Sequence, residues 1–422
     1  MKKVLLGTTA LAALGLMPAL AEAADKISLG LGGYYRFYGV VGDLDDGADV
    51  NSPTGFELGN GFREHGVGRE GEIYFKGQTT LDNGIKVGVN VQLEAETSGD
   101  QIDNSYSYFD GGFGRVEMGS TWGPGVIMFY GSPGHVMPGL GNFATQVHVP
   151  QAGYLGGGSY FSSYNWRLDG VNDKIIYYSP RFAGFQVGLA YTPDNKATSG
   201  GDPTSGPAEE SGIALNWDSS TPTTNGSGPS EVFTIGVNYV NKFSNVDVAL
   251  YGSYSDSDHE ASGADDPKSW NLGGRLGYMG FSVGGSYLQI EHAGVLGTAQ
   301  GVGGAPFANP GPVVATGISA TGVFVLNDID RDEWEVGASY TTGPWKFGIA
   351  YQNIEVDSGA PDVDDNEAEY FSVAGTYALG PGILLVGGLQ YYQYDAGTGP
   401  GGAQTTADGD HYVLVLGTSL SF

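Results

Sequence analysis

The sequence predicts an all-β protein, a transmembrane antiparallel β-barrel of 16 strands with a long third loop folded into the lumen. Three observations support this fold class. Apolar residues return with period 2 along the chain, the connections between these segments are alternately short and long, and no segment after the N-terminus is long and apolar enough for a membrane helix. A chain that crosses a bilayer without such a helix has to pair its backbone groups in a closed barrel.

Residues 1–23 are predicted to be a secretory signal peptide. Lys2 and Lys3 precede an apolar run from Val4 to Leu16, and the A-x-A cleavage site ends at Ala23. The mature chain, residues 24–422, is then a single outer-membrane barrel domain. The signal carries a net charge of +1, so the formal charge changes from −29 to −29 − 1 = −30 on cleavage. This charge argues against nucleic acid or anionic lipid surfaces as partners.

The composition limits what can stabilise the fold. The chain has no Cys, so an exported protein of this sequence depends neither on disulfides nor on thiolate metal sites. It has 73 Gly, and a Gly-rich acidic composition can also indicate disorder. The regular return of apolar alternation argues against disorder here.

The first segments of the mature chain show the alternation most clearly. Residues 26–40 and 68–81 each have one apolar and one polar face, and residues 82–84, Asp-Asn-Gly, are a hairpin turn because Asn-Gly supplies positive φ angles. Residues 85–97 place Ile85, Val87, Val89, Val91 and Leu93 against Lys86, Asn90, Gln92, Glu94 and Glu96. In a soluble sandwich the apolar faces meet each other, whereas in a membrane barrel they meet lipid and the polar faces line water.

The connections favour the barrel and set the strand count. The short ones are 82–84, 110–114, 181–183, 241–245, 279–280, 342–344 and 379–382, and the long ones are 41–67, 98–104, 120–172, 193–230, 257–267, 291–330, 355–366 and 395–409. Short turns on one rim and long loops on the other are typical of outer-membrane barrels. Seventeen segments qualify as strands, and placing residues 211–217 inside the fourth long loop gives an even count of 16, with 14 or 18 as alternatives. The weakest strands are 103–110 and 115–120.

The third long connection, residues 120–172, is the most unusual segment. Its 53 residues have no helical periodicity and no Asp or Glu before Asp169, in a strongly acidic chain. A connection of this length is uncommon in a compact domain unless it is functional. We therefore expect it to fold inward and narrow the pore. Its aromatic residues are Trp122, Phe129, Tyr130, Phe143, Tyr154, Tyr160, Phe161, Tyr164 and Trp166.

At this point the chain resembles a Gram-negative general porin of the proteobacterial type. The resemblance rests on the signal peptide, the first strand 27–40, the segment 177–185 (Tyr-Tyr-Ser-Pro-Arg-Phe-Ala-Gly-Phe) and the terminal strand that ends at Phe422. It implies a homotrimer integral to the bacterial outer membrane, among its lipids and lipopolysaccharide, with the third loop in the lumen and Phe422 as an assembly signal. In many relatives that loop carries carboxylates facing an arginine cluster. This sequence departs from that pattern, since residues 118–168 contain no acid.

The strand phases predict which charged side chains line the pore. The bases are Arg36, Lys76, Lys86, Arg115, Arg275 and Lys346, and the acids are Glu70, Glu72, Glu94 and Glu117. A charge on the lipid face costs about 2–4 kcal/mol for Arg or Lys at the midplane, so these residues are expected inside. One interpretation is a basic wall that tunes ion preference, with Arg36, Lys76 and Arg115 at the constriction. The other is that polar residues simply meet water and that the acids pair with the bases.

The long loops contain aspartate clusters. Carboxylate oxygens suit Ca²⁺ or Mg²⁺, so these clusters are possible metal ligands, with a solvated acidic surface as the alternative interpretation. The residues in question are Asp43, Asp45, Asp46, Asp362, Asp364 and Asp365. No other cofactor is expected.

The predicted function is passive diffusion of small hydrophilic solutes and ions through a water-filled pore, because a 16-stranded barrel leaves a channel. Two alternatives stay open. One is a substrate-selective channel, in which the aromatic third loop stacks on sugars, and the other is a structural or adhesive barrel without an open pore. The six His residues are scattered and show no catalytic or metal-binding spacing, so the sequence predicts no enzyme.

Overall fold

Sixteen β-strands form one closed antiparallel barrel in the computed structural model of the chain. The structure describes residues 26–44, 64–95, 102–138, 168–194, 229–259, 265–292, 330–356, 365–395 and 409–422. Each strand pairs with its neighbours in the chain, and the last strand pairs with the first.

The strands have the following bounds. They are β1 (Ser28–Leu44), β2 (His65–Thr80), β3 (Lys86–Glu94), β4 (Ile102–Gly111), β5 (Gly114–Ser120), β6 (Asp173–Tyr178), β7 (Phe185–Asp194), β8 (Pro229–Phe243), β9 (Val246–His259), β10 (Lys268–Tyr278), β11 (Phe281–Glu291), β12 (Arg331–Thr342), β13 (Trp345–Val356), β14 (Asn366–Gly380), β15 (Ile383–Asp395) and β16 (Gly409–Ser421). One short helix, α1 (Pro124–Ile127), follows β5.

The predicted closed antiparallel barrel and its count of 16 strands are confirmed, and the alternatives of 14 and 18 strands are wrong. The two weakest predicted strands are real and correspond to β4 and β5. The predicted turn at 82–84 lies between β2 and β3, where Asn83 Oδ1 accepts from the Ile85 N–H at 3.1 Å and Gly84 has a φ of +81°. Residues 211–217, which we placed inside a loop, lie outside the described residues.

The two faces of the sheet differ in polarity in the sense expected of a membrane barrel. On β12, Arg331, Glu333 and Glu335 are buried, whereas Trp334 and Val336, which alternate with them, are exposed. The buried polar side chains point into the barrel, and the exposed apolar ones form its outer surface. No helix among the residues that the structure describes has the length and apolarity needed to cross a membrane.

The barrel closes where β16 meets β1. The Gly33 N–H donates to the Phe422 carbonyl at 3.0 Å, and the Phe422 N–H donates back to the Gly33 carbonyl at 3.1 Å. Gly33 is required at this place, since a Cβ there would lie 2.2 Å from the Glu72 carbonyl oxygen and 3.1 Å from the Phe422 ring. The terminal aromatic residue is therefore part of the closing contact.

Removal of Phe422 is expected to lower the amount of assembled barrel. The shortened chain loses both hydrogen bonds to Gly33 and the ring packed beside it, which weakens the pairing that leaves no open edge. Immunoblots of outer-membrane fractions would measure the effect. Phe422→Leu serves as the control because it keeps the backbone bonds and removes only the ring. Normal outer-membrane amounts of the chain that ends at Ser421 would contradict the prediction.

Candidate functional site: a charged wall and a strap inside the barrel

The inward face of β1–β5, named here the charged wall, begins with an ion pair between neighbouring strands. Arg36 and Glu70 lie directly opposite each other in register, with Arg36 Nη1 2.9 Å from Glu70 Oε2. Arg36 also lies over the Tyr34 ring, 3.9 Å from its centroid. The Tyr34 hydroxyl donates to Glu70 at 2.9 Å or to Glu72 at 2.6 Å. The Arg36 charge is therefore compensated on its own wall.

A second group on the charged wall repeats this arrangement. Arg115 Nε lies 2.5 Å from Glu117 Oε1, and Arg115 Nη1 lies 3.7 Å from Asp110 Oδ2. The guanidinium carbon is 3.9 Å from the centroid of the Tyr108 ring. A guanidinium between carboxylates and an aromatic ring is held by both charge and the ring quadrupole, so its geometry is fixed.

The remaining predicted wall residues are less tightly held. Lys76 Nζ lies 4.9 Å from the centroid of the Tyr74 ring. Lys86 is exposed and stands opposite Asp110 in register, and Glu94 stands opposite Glu72. The bases of the charged wall are thus interleaved with carboxylates, as in the second of our two interpretations. Their role in ion preference stays a prediction.

Opposite the charged wall, residues 121–138, named here the strap, lie against the inward face of the other strands. The first contact lies within α1, where the Tyr251 hydroxyl on β9 donates to the Gly125 carbonyl at 2.6 Å. Asn238 on β8 donates to the Met128 carbonyl at 3.2 Å. Both donors come from the barrel wall, so the start of the strap is tied to β8 and β9.

The middle of the strap is held by one base and one acid. Arg275 donates to the Gly131 carbonyl at 3.0 Å and to the Ser132 carbonyl at 3.3 Å. Glu335, which is 3% exposed, accepts from the Ser132 N–H at 2.6 Å. The Ser286 hydroxyl on β11 donates to the same oxygen, Glu335 Oε1, at 3.0 Å, and Glu335 Oε2 lies 3.1 Å from His135 Nε2. The bonds made by Arg275, Ser132 and His135 join the strap to wall strands. The bond from Ser286 holds the Glu335 carboxylate in position.

The end of the strap enters an apolar cluster inside the barrel. Val136 and Met137 are buried there, and the Tyr38 hydroxyl on β1 donates to the Pro138 carbonyl. The wall residues of the cluster come from β1 and β13–β16 and are Tyr38, Val40, Ile354, Val356, Ala368, Tyr370, Ala374, Val386, Tyr392, Val413 and Val415. This part of the inner face is apolar, which differs from our expectation of a polar lining throughout. The reason is that strap side chains cover it.

The two ends of the 120–172 segment meet at a buried lysine on β6. Lys174 Nζ donates to the Thr121 carbonyl at 2.7 Å, the Asp169 carbonyl at 2.8 Å and the Gly170 carbonyl at 2.6 Å. The Asp169 carboxyl is buried beside Gly123, and burial raises its pKa, an effect that the nearby Lys174 charge opposes. These contacts close the neck of the segment. Residues 139–167 lie outside the described residues, so the predicted course of the whole loop stays a prediction.

Lys174→Met is expected to lower the melting temperature markedly. It leaves two buried carbonyl groups and the partly buried Gly170 carbonyl without their donor, at about 1–3 kcal/mol for each buried unsatisfied group. The loss should be larger at neutral than at acid pH, because the Asp169 carboxylate then loses a compensating charge, and Asp169→Asn should remove this difference. Lys242→Met is the matched control, since Lys242 forms an exposed pair with Asp247. Equal melting temperatures for both variants would contradict the role of Lys174.

Some of the site residues predicted from the sequence lie on the charged wall, and others lie on the strands that face the strap. Arg275 lies on the inward face and binds the strap, and Lys346 lies inward on β13 at half exposure, while their contribution to the pore lining stays a prediction. Sequence reasoning missed Glu335 and Lys174. For Glu335 a signal was present, because Arg331, Glu333 and Glu335 alternate with Asp332, Trp334 and Val336.

The proposed metal ligands are only partly visible. Asp43 lies near the end of β1, and Asp365 is exposed just before β14. Asp45, Asp46, Asp362 and Asp364 lie outside the described residues. Within the described ranges, no three His, Cys, Asp or Glu residues come close enough to hold a metal ion. Binding of Ca²⁺ or Mg²⁺ by the loops stays a prediction.

Comparison with known proteins identifies similar chains and folds. Residues 7–397 match the sequence profile of a family described as Gram-negative porin. An uncharacterized protein of Rickettsia bellii is 24% identical over 230 residues, 47% of this chain and 50% of the relative, so the match spans half the length of that curated relative.

Solved structures share the barrel at low sequence identity. The anion-selective porin from Comamonas acidovorans has a TM-score of 0.57 and 16% identity, with 94% of this chain and 100% of that chain covered. A porin refined at 1.8 Å resolution has a TM-score of 0.51 and 16% identity at the same coverage. The loop L8 deletion mutant of the Vibrio cholerae outer membrane protein OmpT has a TM-score of 0.51 and 13% identity, again at this coverage. At such identities these structures support the fold alone.

Proposed function

The chain belongs to the Gram-negative porin family, and from that premise we propose that it forms a water-filled outer-membrane channel for passive diffusion of small hydrophilic solutes and ions. The observation that carries this proposal is the inward face of a closed 16-stranded barrel, which holds half-exposed charged and tyrosine side chains on β1–β5. A barrel of this strand number leaves room for a channel.

The proposed path for solutes runs along the charged wall. The strap and the apolar cluster occupy the inward face of β7–β16 and the part of β1 at Tyr38 and Val40, whereas Arg36, Lys76 and Arg115 retain exposed surface. Small polar solutes then pass between the strap and the charged wall.

We propose only a weak ion preference for this channel. The Comamonas relative is described as anion-selective. Here Arg36 and Arg115 each have a carboxylate within hydrogen-bond distance on their own wall. A solute ion therefore meets paired charges of both signs, and the long-range field of each base is reduced. Residues 118–168 contain no acid that could oppose these bases. We therefore also expect only a weak electric field across the pore.

The proposed state is a homotrimer within the outer membrane. β5 has 7 residues and β6 has 6, fewer than the about 9–11 residues with which a strand spans a bilayer. This sector is better covered by neighbouring copies than by lipid. Sedimentation in mild detergent would test the assembly, and a monomer at every protein concentration would contradict it.

Recordings in planar lipid bilayers test the function. A general diffusion channel should give stable conductance steps that scale with salt concentration and do not saturate with sugars. Saturation by one solute class would favour the substrate-selective alternative. Correctly folded protein that gives no conductance would favour the structural or adhesive alternative and overturn the proposal.

A further inference from the structure

The wall beneath the strap presents glycines at its inward positions. Six of them, named here the glycine groove, are Gly188 on β7, Gly236 on β8, Gly273 on β10, Gly284 on β11, Gly337 on β12 and Gly348 on β13. A Cβ at each of them would lie 2.1–2.9 Å from a strap atom. Carbon atoms in favourable contact are about 3.5–4.0 Å apart, so the strap occupies the space that side chains would need.

Backbone conformation does not explain these glycines. Each lies in a strand, and none has a φ in the left-handed region. Glycine inside a strand weakens it, because it adds chain entropy to the unfolded state and packs nothing. At five of these positions the atom nearest to the added Cβ belongs to the strap, which accounts for the glycine, whereas at Gly284 the nearest atom is the Gly274 carbonyl oxygen of β10, at 2.4 Å.

We propose that the glycine groove sets the size limit of the pore by fixing how deeply the strap sits against the wall. This inference rests on the proposed channel function. The strap lies between the six glycines and the passage. The glycines therefore do not touch a solute and affect it only by positioning the strap. A shallower groove pushes the strap toward the charged wall and narrows the passage.

Gly348 is the position where the strap has least freedom to adjust. A Cβ there would lie 2.5 Å from the Gly134 carbonyl oxygen and 2.6 Å from Val136. Gly134 itself is pressed against the wall, since its own Cβ would lie 1.7 Å from the Ile349 carbonyl oxygen. The contact is backbone against backbone, so the strap has to move inward by about 1 Å to reach an ordinary C···O separation.

The test compares Gly348→Ala and Gly348→Val with Gly30→Ala in bilayer recordings. Gly30 is an inward glycine of β1 away from the strap, and a Cβ there would meet only the Lys76 carbonyl oxygen at 3.6 Å. We expect lower conductance and a smaller cutoff for graded neutral polyethylene glycols with Gly348→Ala, a larger loss with Gly348→Val, and wild-type behaviour with Gly30→Ala. Unchanged or increased conductance and cutoff in both Gly348 variants would overturn the proposal.

A second measurement separates this inference from the channel function. The chain has no Cys, so Val136→Cys introduces a single thiol on the strap, where Val136 is 6% exposed and packs against the wall. Its labelling by a maleimide should be slow in the wild-type background and faster with Gly348→Val, in protein whose melting curve shows a folded barrel. Equal labelling rates in the two backgrounds would overturn the proposal that the glycine groove fixes the position of the strap. Absence of conductance in the wild-type protein would instead overturn the proposed function.

Discussion

Deletion of residues 132–157 is expected to raise the single-channel conductance severalfold and to admit larger solutes. The deletion removes the part of the strap that Arg275 and Glu335 hold across the inner face, together with the two residues that fill the apolar cluster. Water then replaces protein in the narrowest part of the channel, and ionic current rises with the open cross-section. Bilayer recordings and liposome swelling with sugars of graded size would measure both effects.

The matched control removes 26 residues from another long connection, residues 300–325, which the wall contacts described above do not involve. Glu335→Gln should accompany the strap deletion, so that no buried carboxylate loses its donors without compensation. If the strap deletion and the control have the same conductance and cutoff as the intact chain, the segment does not constrict the pore, and the central part of the proposed function is wrong.

Replacement of Arg36 and Arg115 together by Glu is expected to shift the channel strongly toward cations. Each substitution changes the local charge by two units, and the carboxylates of Glu70 and Glu117 lose their partners as well. One unit charge in water acts on an ion about 8 Å away with about 0.5 kcal/mol. Four units give about 2 kcal/mol before screening, and the Debye length is about 10 Å in 0.1 M salt but about 30 Å in 0.01 M salt. The local cation concentration should therefore rise severalfold at the higher salt concentration and about tenfold at the lower one, and the cation-to-anion permeability ratio should rise by more, because the anion is disfavoured by the same free energy.

The complementary variant, Glu70→Gln with Glu117→Gln, should shift selectivity toward anions. Glutamine keeps the size of each side chain and removes its charge, so both guanidinium groups remain and act on passing ions. Reversal potentials across a salt gradient measure both variants under one set of conditions. Identical reversal potentials for the two double variants would show that the charged wall does not control ion preference.

The sequence was sufficient for the barrel but not for the strap contacts. Period-2 alternation and the parity of short and long connections fix which face of each strand points inward, and this is why β4 and β5 were found despite their weak patterns. The same parity placed Arg36, Glu70 and Arg115 on one face. The ion pairs that these residues form were not predictable in the same way. They depend on the register between strands, which the sequence pattern does not specify.

The contacts between the strap and the wall were not predictable from local patterns. Glu335 binds Ser132 across more than 200 residues of chain, and Lys174 closes a neck between two loop ends. The glycine groove was hidden in a Gly-rich composition, where an inward glycine beneath the strap looks the same as any other strand glycine. These positions differ from other strand glycines only because the strap packs on them. The strap is an irregular segment, and no sequence period predicts where it packs.

Barrel closure also has a consequence for folding kinetics. Of the sixteen strand pairings, only β1 with β16 joins distant parts of the chain, and Gly33 and Phe422 are 422 − 33 = 389 residues apart. Closing a loop of this length costs roughly 5 kcal/mol of chain entropy by logarithmic scaling, whereas neighbouring hairpins form locally. Closure is therefore expected to be the last and slowest step, and until it occurs both edge strands are open to pairing with other chains.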